Sequence, residues 1–210
     1  MLEDWLSRWR EGRIGWHEAD GNALLKRYWP RLVRDSSVLV PFCGKALDML
    51  WLASQGMRVT GVEISELAVK TFFAENGLDY TVSEQCGMPC YEADAAPVRI
   101  LQGDYFNVDC EPFDALYDRG ALVALPPDVR PEYVAHTEKL LREDAFRLIV
   151  TLAYDDTLAS GPPYSVEASE LMAYWPDLTC VCSRSAMDQA PPKFRQAGIT
   201  EVLESVWTPA

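Results

Sequence analysis

Apolar and polar positions follow two alternating periods along the first half of the chain. A short β-branched run at 37–41 predicts a strand, and apolar residues at helical spacing from 45 to 55 predict a helix directly after it. A second strand at 58–64 and a second helix, with Ser65 as its N-cap, its end near Asn76 and Gly77 behind it, repeat the pattern. Because strands that alternate with helices form parallel sheets, the pattern predicts an α/β fold with helices on both faces of the sheet.

The second half of the chain predicts further strands and helices with less regular spacing. The glycine, prolines and acidic residues of 81–97 indicate a loop or an insertion. Strands are predicted at 98–101, 113–117 and 146–153, helices at 131–142 and 166–175, and a final antiparallel hairpin from strands near 179–183 and 200–206. The expected total is seven strands in a mostly parallel sheet.

Composition and charge narrow the classes of protein and partner. The 210 residues are 49% apolar, which suits a single domain spanning 1–210 whose tryptophan-rich segment 1–35 forms an N-terminal helical lid. A formal net charge of -13 makes nucleic acid and anionic membrane surfaces poor partners. Without a signal-like start or a membrane-length apolar run, we expect a cytoplasmic monomer.

The cysteine pattern gives two further expectations. In a reducing cytoplasm the six cysteines are free thiols by default. Their spacing does not repeat as it does in zinc sites, and the chain has two histidines, so we expect no bound metal.

Polar residues follow the ends of the predicted parallel strands, where open α/β sheets bind their ligands. Gly44 follows the first strand, Glu63 ends the second, and Asp104 follows the third. A glycine admits a ligand close to the backbone, and a carboxylate at Glu63 can accept hydrogen bonds from both ribose hydroxyls. Asp104 can accept one from an adenine amino group. These three strand ends therefore predict one nucleoside pocket, and Arg119 follows the fourth strand.

The turn after the first strand indicates which nucleoside cofactor fits. It carries a single glycine, Gly44, whereas a dinucleotide site needs the three glycines of a G-x-G-x-x-G fingerprint. The bulky neighbour Phe42 disfavours a pyrophosphate and leaves room for a sulfonium cofactor with an amino-acid tail. The turn thus favours S-adenosylmethionine. A nicotinamide-dependent oxidoreductase and a non-catalytic nucleoside-binding module stay open as alternatives.

Five segments, in the same order along the chain, resemble the thiopurine S-methyltransferase family. They are 5–17 (WLSRWREGRIGWH), 41–45 (PFCGK), 61–67 (GVEISEL), 118–124 (DRGALVA) and 154–164 (YDDTLASGPPY). The resemblance implies a Rossmann-like methyltransferase that uses S-adenosylmethionine to methylate the sulfur of thiopurines and other aromatic or heterocyclic thiols. Bacterial relatives are also associated with methylation of selenium and tellurium species.

The resemblance also implies roles for individual residues. It places at the cofactor, together with Gly44, the side chains of Trp9, Phe42, Glu63, Asp104, Tyr105 and Arg119. Trp16 and Arg119 would face a small-molecule acceptor, with Arg119 as the catalytic residue. Phe42 departs from the leucine usual in the family motif, so its packing is expected to differ. Simpler interpretations remain: Trp9 and Trp16 as core residues, and Arg119 in a structural ion pair with Asp118.

Overall fold

The predicted succession of strands and helices is present in the computed structural model, which describes residues 2–14 and 17–210. The helices are α1 Leu2–Arg10, α2 Ala23–Tyr28, α3 Asp48–Ser54, α4 Glu66–Glu75, α5 Arg130–Lys139, α6 Ala168–Tyr174 and α7 Pro192–Gln196. The strands are β1 Ser37–Pro41, β2 Arg58–Glu63, β3 Tyr80–Gln85, β4 Met88–Ala93, β5 Val98–Gln102, β6 Phe113–Asp118, β7 Leu141–Ala153, β8 Leu178–Ser185 and β9 Leu203–Pro209. Helices α1 and α2 agree with the helical interpretation of the first 35 residues.

The described residues group into two compact units, one of residues up to 116 with 140–145, the other of 117–139 with 146–210. A single domain spanning the chain stays a prediction. No helix in the described part of the chain is both long enough and apolar enough to cross a membrane.

Parallel pairing in the first unit brings the ends of its central strands level. The strand order is β3-β4-β5-β2-β1-β6, with β1 parallel to β2 and β6, and β2 parallel to β5. Pro41 lies opposite Val62, and Glu63 lies opposite Gln102. Ser65 caps helix α4 as its position predicts, because its hydroxyl accepts from the backbone N–H of Ala68 at 3.3 Å. The residues after β1, β2 and β5 therefore emerge at one edge.

The predicted loop at 81–97 is wrong, because most of this stretch forms the antiparallel hairpin β3–β4. Tyr80 pairs with Ala93, Gln85 pairs with Met88, and the turn holds Cys86 and Gly87. Most side chains of β3 are exposed and polar, so the strand lacks the apolar alternation by which strands are predicted. The described residues accordingly form nine strands rather than seven, and the sheet is mixed rather than mostly parallel.

The prediction of six free thiols is also wrong. Cys86 in the β3–β4 turn is bonded to Cys110, 24 residues further along the chain. Sequence spacing cannot show this pair, since the fold alone brings the two cysteines together. Within the described residues Cys43, Cys90, Cys180 and Cys182 are free. The disulfide anchors the segment after residue 107 to the hairpin turn.

The second unit contains the predicted antiparallel hairpin. Strands β8 and β9 pair antiparallel, and β9 also pairs antiparallel with β7, where Trp207 lies opposite Ile149. Part of its core is a cluster of buried side chains from Tyr154, Ala186, Phe194, Ile199 and Val202. The connection between the two strands is longer than a tight turn, since it contains helix α7.

Candidate active site

Glu63 is the last residue of β2, and its buried carboxylate organises the turn that follows β1. Its Oε2 accepts from the backbone N–H of Gly44 at 2.9 Å, and its Oε1 accepts from that of Ser65 at 2.7 Å. Residues 19 apart in sequence meet because β1 and β2 run parallel and in register. A carboxylate offers about four lone-pair sites. With the N–H of Ile64 as a third backbone donor, the carboxylate keeps capacity for at least one further hydrogen bond, such as one from a ribose hydroxyl.

Burial moves the pH range in which this carboxylate titrates toward neutral pH. Loss of hydration raises the pKa of Glu63 from an ordinary 4.5 to about 7, while the N–H groups of Ser65, Gly44 and Ile64 act in the opposite direction. Hydroxyl groups that donate to the carboxylate would favour the charged form further. Binding of any ligand that donates hydrogen bonds to Glu63 would therefore be linked to loss of a proton.

Trp9 of α1 lies against the glycine turn. The backbone of Gly44 has φ +52°, and a Cβ added there would lie 3.0 Å from Cζ2 of the Trp9 indole. Trp9 is buried, with 8% of its surface exposed. Trp9 can therefore be both a core residue and a neighbour of the glycine turn, as the two interpretations of the sequence proposed. Glycine fits at position 44 because any larger residue would displace the indole ring.

Phe42 and Tyr105 join the glycine turn to the segment after β5. Phe42 adopts φ +48°, a left-handed conformation that is costly for a bulky residue. Its ring meets that of buried Tyr105 edge-to-face, with centroids 5.5 Å apart. Asp104 caps the short 3₁₀ turn at Tyr105–Asn107 by accepting from the N–H of Phe106 at 3.2 Å. The N–H of Gly103 donates to the carbonyl of Glu63 at 3.0 Å, which ties this segment to β2.

The structure thus brings together, within the first unit, six of the eight residues predicted for the site: Trp9, Phe42, Gly44, Glu63, Asp104 and Tyr105. Their individual contacts with a cofactor stay predictions. Trp16 lies outside the described residues. Arg119 belongs to the second unit, where it follows β6 directly and is half-buried.

Gly61 and Cys43 have packing roles that the sequence pattern did not indicate. A Cβ added to Gly61 would lie 2.6 Å from Sγ of Cys43, so this strand glycine makes room for the thiol. Burial, and secondarily the charge of Glu63, raise the pKa of Cys43 well above its usual range. A protonated, buried thiol is a poor nucleophile, which assigns Cys43 to packing.

Asp118 is the second buried carboxylate at a strand end. Its Oδ1 accepts from the N–H of Ala121 at 2.9 Å, and its Oδ2 accepts from the hydroxyl of Tyr133 at 2.7 Å. The N–H of Leu122 lies 3.3 and 3.2 Å from the two oxygens. Burial raises the pKa of Asp118, and these donors act in the opposite direction. The turn that carries Arg119 is therefore closed on a buried charge.

A Rossmann-like fold with a buried acid as the last residue of its second strand and a single-glycine turn after its first strand is typical of S-adenosylmethionine-dependent methyltransferases. A crystal structure of Burkholderia thailandensis 1,6-didemethyltoxoflavin-N1-methyltransferase, with bound 1,6-didemethyltoxoflavin and S-adenosylhomocysteine, matches the whole chain and 87% of its own, with a TM-score of 0.63 and 23% identity. The sequence profile for thiopurine S-methyltransferase matches residues 1–209, and the chain belongs to that family.

Curated relatives agree over nearly their whole length. The thiopurine S-methyltransferase of Pseudomonas putida strain GB-1 is 41% identical over 213 residues, covering 97% of this chain and 96% of its own. That of Bordetella petrii is 42% identical over 207 residues, covering 95% and 94%. The predicted family, the Rossmann-like fold, the methyltransferase activity and the S-adenosylmethionine cofactor are confirmed. The oxidoreductase and the non-catalytic module are thereby set aside.

Proposed function

We propose that this methyltransferase transfers its methyl group to the sulfur of an aromatic or heterocyclic thiol, thiopurines among them. The main support is Arg119, a permanent cation that directly follows a buried, hydrogen-bonded Asp118, in a chain 41% identical to a thiopurine S-methyltransferase. A cation in a rigid turn suits an anionic acceptor. The proposal includes a small-molecule acceptor, a cytoplasmic location and a monomeric enzyme, in keeping with the net charge of -13.

Residues of this chain hold the two reactants in different ways. Glu63 accepts hydrogen bonds from the ribose, Asp104 and Tyr105 lie on the adenine side, and Trp9 covers the glycine turn. Bound S-adenosylmethionine supplies an electrophilic methyl group on a positively charged sulfur. The acceptor sulfur forms the new bond to that methyl carbon as the old carbon–sulfur bond breaks.

The acidity of the acceptor explains why the site needs no strong base. An aromatic thiol is largely anionic near neutral pH, so its sulfur is already nucleophilic. Arg119 then serves to hold the anion in line with the methyl group, and orientation of this kind contributes roughly 7–11 kcal/mol at best.

Transfer of labelled methyl from S-adenosylmethionine to 6-mercaptopurine tests the proposal. We expect turnover of the thiopurine, strongly reduced but still measurable in Arg119→Ala and less reduced in Arg119→Lys. Selenite and tellurite are tested in parallel, and turnover of these alone would replace the thiol by a chalcogen oxyanion as the acceptor. No turnover of any acceptor by a preparation that binds S-adenosylhomocysteine would contradict the thiol proposal.

A further inference from the structure

Helix α5 holds the segment that begins at Asp118 by both of its ends. Near the helix start, the fully buried Arg130 donates from Nε to the carbonyl of Leu125 at 3.1 Å. One turn along, the hydroxyl of Tyr133 donates to Asp118 at 2.7 Å. The six residues between these two contacts, 119–124, include Arg119. We refer to residues 118–125 as the arginine segment.

A second part of the chain fastens the middle of the arginine segment. The N–H of Tyr164 donates to the carbonyl of Val123 at 2.7 Å. Arg130 reaches the same neighbouring stretch, since its Nη2 donates to the carbonyl of Ser165 at 2.9 Å. Its Nη1 also pairs with the carboxylate of Glu170 at 2.8 Å. The arginine segment is thus restrained at its start, middle and end.

Asp118 is an unfavourable residue for a purely structural role. Its side chain is 1% exposed, and a buried carboxylate loses its hydration. Burial raises the pKa of Asp118, which means that the charged form is disfavoured in the folded chain. The hydroxyl of Tyr133 and the backbone N–H groups of the segment compensate for that loss. The charge therefore organises the residues beside it at a cost in stability.

We infer that Asp118 and Tyr133 are positioning residues that fix the direction of the Arg119 guanidinium toward an anionic acceptor. The inference rests on the proposed function. The hydroxyl of Tyr133 holds the carboxylate of Asp118, and Arg119 is the next residue along the backbone. The hydrogen bond therefore restrains the backbone from which the Arg119 side chain extends. An arginine on a loose turn would keep its charge and lose its direction, which lowers acceptor affinity and turnover without affecting cofactor binding.

The test is a double-mutant cycle between Tyr133→Phe and Arg119→Ala, with 6-mercaptopurine as the acceptor. Tyr133→Phe keeps the buried ring and removes the hydroxyl alone. We expect it to lower kcat/KM for the thiol roughly tenfold, mainly through KM, with the Kd for S-adenosylhomocysteine unchanged. In the Arg119→Ala background the same substitution should have no further effect on kcat/KM.

Two comparisons separate positioning from stability. Tyr91→Phe is the matched control, since it also removes a tyrosine hydroxyl that donates to a carboxylate, Glu66, at 3.0 Å, and neither residue contacts the arginine segment or Arg130 through a hydrogen bond given above. It should leave kcat/KM unchanged even though it removes a comparable hydrogen bond. Asp118→Asn should recover part of the activity that Asp118→Ala loses, because its amide can accept from Ala121 and donate to the hydroxyl of Tyr133.

The outcomes are distinct. An equal loss from Tyr133→Phe in both backgrounds would overturn the inference, since Tyr133 would then act on something other than Arg119. A normal kcat/KM in Arg119→Ala would overturn the role of Arg119, and this inference with it, while thiol methylation itself stood. A parent enzyme that methylates no thiol would overturn the proposed function first.

Discussion

Two buried carboxylates, Glu63 and Asp118, are each the last residue of a strand and differ in what they bind. Burial raises the pKa of both. Glu63 accepts backbone N–H groups on both of its oxygens and keeps capacity for a further donor. Both oxygens of Asp118 are engaged by donors of its own turn and by the hydroxyl of Tyr133. The comparison teaches that one carboxylate is suited to a ligand and the other to shaping the chain.

The largest expected effect tests the ligand side of this comparison. Because we propose that Glu63 accepts hydrogen bonds from two ribose hydroxyls, we expect S-adenosylhomocysteine to bind Glu63→Ala roughly 1,000-fold more weakly, about 4 kcal/mol. Isothermal titration calorimetry measures the loss. Glu66→Ala is the control, since Glu66 is an exposed carboxylate three residues further that pairs with Lys70. Unchanged affinity in Glu63→Ala would remove Glu63 from the cofactor site.

The next effect is a pH dependence of stability that Glu63 contributes. Its pKa is about 7 in the folded chain and 4.5 ordinarily, so between these values the folded state binds the extra proton. Stability therefore falls as pH rises from 4.5 to about 7, and then levels off. Relative to Glu63→Gln, the free energy of unfolding should fall by about 3 kcal/mol across that window.

Urea denaturation at a series of pH values measures this difference, because other titrating groups are common to both proteins. Saturating S-adenosylhomocysteine should lessen the fall in the parent protein, since hydroxyl donors favour the charged carboxylate. Parallel pH profiles for the two proteins would show that Glu63 is not buried as an acid of raised pKa.

The position of Glu63 beside the glycine turn could be predicted from the sequence, because the direction of parallel strands determines it. Once β1 and β2 are recognised from their apolar runs, Gly44 and Glu63 must lie at the same sheet edge. The cap at Ser65 was accessible for a similar reason, since its hydroxyl acts on a backbone N–H three residues away. Local chemistry and strand polarity together predicted the first unit's part of the site.

The contact between Asp118 and Tyr133 could not be predicted from the sequence, because it depends on packing between elements that are distant along the chain. Nothing in the spacing of Asp118 and Tyr133 requires helix α5 to bring its hydroxyl to β6. The Cys86–Cys110 disulfide could not be predicted for the same reason. The hairpin β3–β4 was missed for a different one: β3 is polar on most of its exposed length, and apolar periodicity is the signal that strands ordinarily give.

A smaller effect examines the glycine turn that Glu63 holds. Gly44→Ala introduces a side chain at φ +52° and within 3.0 Å of Trp9, whereas Gly77→Ala introduces one at φ +60° with open space around it. The left-handed backbone alone costs about 1 kcal/mol for alanine, so Gly77→Ala measures that part. We expect Gly44→Ala to destabilise by about 2 kcal/mol, the excess coming from the indole contact.

Thermal unfolding of both variants, repeated in a Trp9→Phe background, isolates that excess. Equal losses for Gly44→Ala and Gly77→Ala would mean that Trp9 moves aside easily and that α1 does not restrain the turn.

The smallest effect tests whether the hydroxyl of Tyr133 stabilises the ionised form of Asp118. The hydroxyl of Tyr133 lowers the pKa of Asp118 against the larger effect of burial, so it interacts best with the charged form. Tyr133→Phe should therefore destabilise little in acid, where Asp118 is protonated in either protein, and by about 1 kcal/mol once the carboxylate ionises. The loss of stability in Tyr133→Phe therefore grows as pH rises. Urea denaturation of Tyr133→Phe and of the control Tyr91→Phe across the same pH range measures it. A deficit that is constant with pH would mean that the hydroxyl of Tyr133 does not stabilise an ionised Asp118, and the charge would then have no part in shaping the arginine segment.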